Sequence, residues 1–213
     1  MEDNRKKRVL DAAIEIFAKQ GYSQAAIYEI SKKARVASGL VYSPHFFKNK
    51  LDLLLSIVLF FWQRLNNGIE EEISRLKEPK DKLNRILEIT QRSLTENKRS
   101  IYLAKVVHDS LPYIYTIKEK ELKQKRRKIT DENRKLLNTL DGIIEEGQKK
   151  GKFDNSLSAS AMRQVLYGAF EMLMYGIFLK ISGREKEIGY GEEEIPKVMN
   201  KLISSFLGQS FSE

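Results

Sequence analysis

The sequence predicts an all-α protein of about nine helices, in which three short N-terminal helices precede a larger set of long ones. Three observations support this fold class. Proline and glycine are sparse, with 4 and 12 among 213 residues. Alternating β-branched residues are nearly absent, and apolar residues recur at spacings of three and four, which places them on one face of a helix. With 41% hydrophobic residues, the chain can bury a substantial core.

The first three helices are short. The first, over about residues 5–20, ends before Gly21, the residue type favoured just past a helix end. The second covers about residues 27–33. The third covers about 37–43 and must end before Pro44, which lacks an amide hydrogen and disfavours helical geometry in the residue before it.

The remaining helices are longer, and local signals mark several of their ends. Asn49 is a typical N-cap for the fourth, with Asp52 placed where its charge favours the exposed amides. Pro79 suits the first turn of the fifth, and "GQKKGKFD" is a good stop signal for the seventh. The predicted bounds are about 49–76, 79–96, 102–110 with a further segment from Pro112, 117–150, 158–180 and 193–207.

Positive charge is concentrated at the N-terminus. The chain has 38 Lys and Arg against 29 Asp and Glu, a net charge of +9. Ten of the basic residues and only five of the acidic ones fall within residues 1–50. This excess favours a polyanionic partner such as nucleic acid. Since short helices give way to long ones near Asn49, we predict two domains, 1–49 and 50–213.

Several function classes lack the residues that they need. The absence of cysteine excludes disulfides, thiolate metal sites and a cysteine nucleophile. Neither His45 nor His108 has the glutamate spacing of helical di-iron sites, and there is no glycine-rich phosphate loop. We therefore predict no enzyme activity, no catalytic residue, no metal site and no cofactor. The apolar run 53–62 is about half of a bilayer span and no signal core precedes it, which predicts a cytoplasmic protein without a membrane partner.

The N-terminal region has the pattern of a helix-turn-helix, with a tight turn at "KKARVA" before the third helix. The segment "VLDAAIEIFAKQGYSQAAIYEISKKARVASGLVY", followed by "FKNKLDLL", resembles the DNA-binding domain of the TetR family of transcriptional regulators over about the first 53 residues. Further along, "EEGQKKGKFD" and "AMRQVLYGAFEMLMYGI" resemble the regulatory domain of that family. The segments "RVASG", "KNK" and "LDGIIEEGQKKG" are similar to its fatty-acid-responsive branch.

The resemblance implies which residues contact double-stranded DNA. The residues expected near bases are Ser38, Leu40 and Ser43. The residues expected at phosphates are Tyr42, His45 and Lys50. The chain departs from the family at Arg35, where glycine is usual, and in "SPHFFKN", which is two residues longer than usual. The alternative interpretation of this segment is structural, with its aromatic rings in the core and its basic side chains solvated.

The resemblance also implies a homodimer on an inverted-repeat operator, with half-sites about 34–36 Å apart. The eighth helix is apolar on more than one face, which predicts that it pairs with the ninth and with their copies in a four-helix bundle. The predicted interface residues are Leu166, Phe170, Leu173, Met174, Ile177, Val198, Leu202 and Phe206. The alternative is an intramolecular core made by the same residues.

Aromatic residues in the fourth to eighth helices predict a cavity for a small apolar effector. The predicted effector-binding residues are Phe60, Phe61, Trp62, Leu103, Val107, Tyr113 and Tyr167, with plain core packing as the alternative. The resemblance implies a repressor that a fatty acyl group or acyl-CoA releases. The basic run 118–128 would suit CoA phosphates or an exposed helix face. The rival function is a helical lipid-binding or protein-interaction module without sequence-specific DNA binding.

Overall fold

The computed structural model describes residues 2–42, 46–118, 120–181 and 189–206. Over those ranges it contains nine α-helices and no β-strand, which confirms the all-α prediction. The helices are α1 Glu2–Gln20, α2 Ile27–Ala34, α3 Ser38–Val41, α4 Lys50–Ile73, α5 Pro79–Thr95, α6 Lys98–Tyr115, α7 Lys120–Lys149, α8 Ala159–Ile181 and α9 Ile195–Ser205.

The predicted helix signals act as expected. Gly21 ends α1 in the left-handed region, with φ +79°. Asn49 caps α4, because its Oδ1 accepts a hydrogen bond from the Asp52 amide at 2.8 Å. At the end of α7, Gly151 has φ +64° and the Lys152 amide donates to the Gly147 carbonyl at 2.8 Å. Local chemistry therefore sets these three ends.

The sixth helix differs from the prediction of two segments. It is continuous, and Pro112 lies inside it. Asn97 caps its start by accepting from the Ser100 amide at 3.0 Å. Because Pro112 is three residues from the helix end, its missing amide removes one helical hydrogen bond close to the terminus, and the helix tolerates the loss. The third and fourth helices also end earlier than predicted, at Val41 and Ile73.

One compact unit comprises residues 1–64 and 94–133. Within it, α1 packs against α2 and α6. The large side chains buried to 2% exposure or less include Ile14, Phe17, Ile30, Phe47 and Leu53. Phe46 is also buried, so the structural interpretation of the two adjacent phenylalanines is confirmed. The same unit holds a buried cluster from α4, the end of α6 and the region of α7, made of Leu55, Val58, Ile114, Ile117, Leu122 and Ile129.

A second compact unit comprises residues 65–93 and 134–213. Its core brings together α5, the later part of α7, α8 and α9. The buried residues from these helices include Leu83, Ile86, Leu136, Ile144, Met162, Phe170, Met199 and Ile203. Phe153 is 2% exposed, and its ring lies where a side chain on Gly147 would be. No helix in the described ranges has both the length and the apolar character to cross a bilayer.

Candidate functional site

The turn between α2 and α3 sets the direction of the third helix. Arg35 is in the left-handed region, with φ 54°, at the position where the family usually has glycine. The Val36 amide donates to the Ser31 carbonyl at 3.1 Å and completes the end of α2. A side chain in this conformation costs about 1–2 kcal/mol. The turn therefore keeps a glycine-like geometry at the expense of local strain.

The third helix is anchored on one face and free on the other. Val41 is fully buried, whereas Ser38 and Gly39 are exposed and Leu40 is half-buried. The Ser38 hydroxyl is 2.7 Å from the hydroxyl of Ser31, which is itself buried. Two predicted base-reading side chains, Ser38 and Leu40, thus lie at the accessible start of a short helix.

Tyr42 follows directly after α3 and is 44% exposed. Partial burial raises the pKa of its phenol, because the charged form is disfavoured away from water. The phenolic hydroxyl can donate a hydrogen bond to a phosphate oxygen. The other two predicted DNA contacts of this segment, Ser43 and His45, lie outside the described residues.

Lys50 begins α4 and is held by the turn between α1 and α2. Its Nζ donates to the Ser23 carbonyl at 3.0 Å and to the Ala25 carbonyl at 2.8 Å. The ammonium also lies 4.8 Å from the centroid of the Tyr22 ring. Burial lowers the pKa of Lys50. These contacts fix the position of a cation that the sequence predicts to meet a phosphate.

A polar cluster centred on a buried carboxylate lies in the first two turns of α4. Asp52 is 6% exposed and accepts from the Lys48 amide at 3.0 Å. Its other carboxylate oxygen forms an ion pair with Lys125 of α7, whose Nζ also donates to the Ser56 hydroxyl at 2.8 Å. In the basic run 118–128, Lys125 is thus directed inwards, while Lys123, Arg127 and Lys128 are exposed. No spacing in the sequence signals this contact.

The sixth helix makes two further contacts that sequence reasoning missed. Arg99 donates through Nε and Nη2 to one carboxylate oxygen of Asp11 on α1, at 3.0 and 2.5 Å. The Tyr113 hydroxyl is 2.9 Å from that of Ser23, in the turn after α1. The first pair is separated by 88 residues and the second by 90, so only the tertiary fold brings their members together.

An open cleft of about 500 Å³ lies beside Tyr113, between the turn at 20–23 and α6. His108, Asp109, Leu111 and Pro112 line its α6 side. Hydrogen bonds from His108 first, and then from Lys105, hold the pKa of Asp109 below its ordinary value. The cleft therefore combines apolar side chains, such as Leu111 and Pro112, with an acidic carboxyl group.

Six of the predicted effector-binding residues belong to the first unit and the seventh, Tyr167, belongs to the second. Phe61 and Leu103 are buried in the first unit, and Trp62 and Val107 pack against its apolar cluster. Phe60 is 40% exposed, and Tyr113 meets the turn after α1. Tyr167 belongs to the second unit, where it lines a narrow apolar cavity of about 30 Å³. The other residues of that cavity are Leu83, Ile86, Leu87, Thr90, Leu136, Leu140, Leu166, Phe170 and Ile203.

The predicted interface residues also divide into two groups, those that are buried and those that are at least partly exposed. Leu166, Phe170, Met174 and Ile177 are buried within the chain itself, as the intramolecular alternative expects. Leu173, Leu202 and Phe206 are partly buried. Val198 of α9 is 46% exposed, and α8 exposes two apolar side chains that the sequence prediction omitted, Val165 at 50% and Met172 at 67%. Exposure, which a single helix sequence does not reveal, separates the two groups.

Comparisons with known proteins agree with this architecture. Residues 9–57 match the family model of the bacterial regulatory proteins of the tetR family, and residues 61–176 match the C-terminal region of YsiA-like proteins. The chain is 30% identical over 181 residues to the fatty acid metabolism regulator protein of Bacillus subtilis (strain 168), which covers 80% of this chain and 83% of that protein.

Two solved structures have a similar fold over nearly the whole chain. The transcriptional regulator FadR from Bacillus subtilis, in complex with stearoyl-CoA, has a TM-score of 0.68 at 26% identity and covers 93% of this chain and 97% of its own. The fatty acid degradation regulator FadR from Bacillus halodurans has a TM-score of 0.70 at 22% identity, with coverage of 98% and 97%.

Proposed function

Because the chain belongs to the TetR family of bacterial transcriptional regulators, which are not enzymes, we propose that it is a homodimeric repressor released from its operator by a fatty acyl group or acyl-CoA. The observation that carries the DNA-binding part is the third helix, whose buried Val41 leaves Ser38 and Leu40 accessible. In this proposal residues 1–49 bind DNA, residues 50–213 bind the effector and the second copy, and the protein acts in the cytoplasm, where the chromosome lies.

The proposed DNA contacts divide into base readers and phosphate anchors. Ser38 and Leu40 would approach bases, while Tyr42 and Lys50 would hold phosphates. Ser43 and His45 keep the same proposed roles on the resemblance alone. Each phosphate contact makes log K fall by about 0.9 per log unit of salt. Changes at Leu40 should therefore alter sequence preference, whereas changes at Lys50 should alter the salt dependence.

Selection of bound DNA from a random pool tests this proposal directly. We expect an inverted repeat with half-sites about one helical turn apart. A gel shift with the selected repeat should weaken steeply as salt rises and should persist in the presence of a scrambled competitor DNA. Recovery of no preferred sequence would instead favour the lipid-binding or interaction module, and vesicle flotation would then test that alternative.

The proposed dimer surface is the exposed apolar face of α8 and α9, which Val165, Met172 and Val198 support. Exposed apolar side chains grouped on neighbouring helices typically mark an interface. Light scattering should report a dimer for the wild type and a monomer for the double variant Val165→Lys and Met172→Lys. Leu157→Lys is the matched control, since Leu157 is 47% exposed but precedes α8. If the double variant stayed dimeric, this surface assignment would be wrong.

The proposed effector cavity is the narrow apolar one in the second unit. Its lining is almost entirely aliphatic and aromatic, which suits a hydrocarbon chain. At about 30 Å³ it holds little more than one or two waters, so an acyl chain enters only if the lining side chains separate. An effector that prefers this opened state weakens DNA binding by its differential affinity for the two states.

Titration calorimetry with free fatty acids and with acyl-CoA would test the cavity and distinguish its two candidate effectors. Leu87→Trp should weaken acyl binding, because Leu87 is a half-buried lining residue and the larger ring fills the space. Leu111→Trp, at an exposed site on α6, is the control. Unchanged affinity in Leu87→Trp, or an operator complex that no acyl compound dissociates, would contradict the effector proposal.

A further inference from the structure

The ammonium of Lys50 is positioned by backbone carbonyls of the turn at residues 21–26. Two of its three N–H groups go to Ser23 and Ala25, at 3.0 and 2.8 Å. The third remains for another acceptor. A phosphate contact by Lys50 therefore requires that this turn keep its place, since a shift of the carbonyls would move the ammonium with them.

The turn is supported locally by the contact of the Tyr22 ring with Phe17 of α1, whose centroids are 5.6 Å apart, and by the burial of Ala25. It begins with Gly21 at φ +79°, and the Ala25 amide donates to the Gly21 carbonyl at 3.2 Å. Ala26, the N-cap of α2, has no side chain that can accept from the exposed amides of that helix. Without a capping side chain, the turn gains further support from side chains of other helices.

Tyr113 of α6 contacts two of the three turn residues that Lys50 contacts. Its hydroxyl lies 2.9 Å from the Ser23 hydroxyl. Its ring lies 4.5 Å from the Tyr22 ring, tilted by 57°. Ser23 thus contacts Tyr113 through its hydroxyl and Lys50 through its backbone carbonyl. The Tyr22 ring contacts both the Lys50 ammonium and the Tyr113 ring.

We propose that Tyr113 is a positioning residue for DNA binding. Tyr113 holds the turn at residues 21–26 in place, and the backbone carbonyls of that turn position the ammonium of Lys50. This inference rests on the proposed function, since it assigns a role in operator binding to a residue that does not touch DNA. It also gives Tyr113 a different role from the effector contact predicted from the sequence.

A double-mutant cycle between Tyr113 and Lys50 tests the inference on the selected operator. Tyr113→Phe removes one hydrogen bond and should weaken binding by roughly fivefold. Tyr113→Leu removes the ring as well and should weaken it further. Lys50→Met should lower the steepness of the salt dependence by about 0.9 per subunit. Tyr115→Phe is the control on the same helix, because Tyr115 is 77% exposed.

Non-additivity distinguishes positioning from a merely structural role. In the Lys50→Met background, Tyr113→Phe should cause no further loss of operator affinity. As a single variant, Tyr113→Phe should make the salt dependence of binding less steep. Independent, multiplicative losses or an unchanged salt slope would overturn the inference, as would full affinity in Tyr113→Leu. If Tyr113→Leu does not fold, the phenylalanine variant decides the cycle. A wild type without sequence-specific binding would instead remove the proposed function itself.

Discussion

Replacing Lys125 with methionine should destabilise the chain by about 2–3 kcal/mol, because the Asp52 carboxylate would stay buried without its charge partner. The side chain of Asp52 is 8% exposed and that of Lys125 is 26% exposed. Breaking a fully buried pair from one side typically costs about 3–5 kcal/mol. Water reaches the lysine in part and screens some of this cost, which places the expected value at or below the lower end of that range.

Urea denaturation followed by circular dichroism would measure the change. The matched control is Lys135→Met, on the same helix, whose Nζ lies 2.7 Å from a Glu70 oxygen but whose pair is 42% and 54% exposed. That variant should lose at most about 1 kcal/mol. Both substitutions remove a lysine charge from α7, so the difference between them isolates the effect of burial.

The double variant Asp52→Asn with Lys125→Met should recover part of the lost stability, since it removes the uncompensated charge. Equal urea midpoints for Lys125→Met and Lys135→Met would refute the reasoning. A double variant no more stable than Lys125→Met would refute it too, because the loss would then come from packing of the lysine stem and not from the stranded carboxylate.

Three further predictions concern stability. Arg35→Gly should raise the free energy of unfolding by roughly 0.5–1 kcal/mol, since glycine relieves the left-handed strain, and a lower urea midpoint would contradict this. Gly147→Ala should lower the thermal midpoint, because its methyl group would overlap a buried ring, while Gly142→Ala in open space on the same helix should raise it slightly. A hydrogen bond from Lys150 is the main reason that the pKa of Glu146 lies below its ordinary value of 4.5. The stability that this interaction contributes is therefore present above pH 4.5 and is lost as the pH falls through the pKa of Glu146 in the folded protein. Stability should therefore drop on acidification, and less so in Lys150→Met; parallel pH profiles would exclude this cause.

Local chemistry explains which helix ends the sequence could predict. The signals at Gly21 and Asn49 act within one helical turn, so their effect is readable without the fold. Pro112 is different, because the helix stability lost through its missing amide hydrogen depends on how far the helix continues beyond it. The helix continues for three residues beyond Pro112, and one of them, Ile114, is buried, which the proline itself does not signal.

The candidate site was predictable only where one segment makes it. The exposed start of α3 follows from the turn and from Val41, all within a few residues. The ion pair between Asp52 at the start of α4 and Lys125 of α7 was not predictable, because 73 residues separate its two members in the chain. The effector-binding residues stay a prediction, because side-chain type alone does not distinguish a packed ring, such as the buried Phe61, from a cavity wall.

The tightness of the proposed acyl cavity would determine which chain lengths of effector the protein senses. Separating its lining residues carries a fixed cost, whatever enters. Each buried methylene contributes about 0.8 kcal/mol, so a short chain falls below that cost and a long one exceeds it. Discrimination would then appear as a threshold: the response would switch on over a few added carbons, with no polar group needed to measure length.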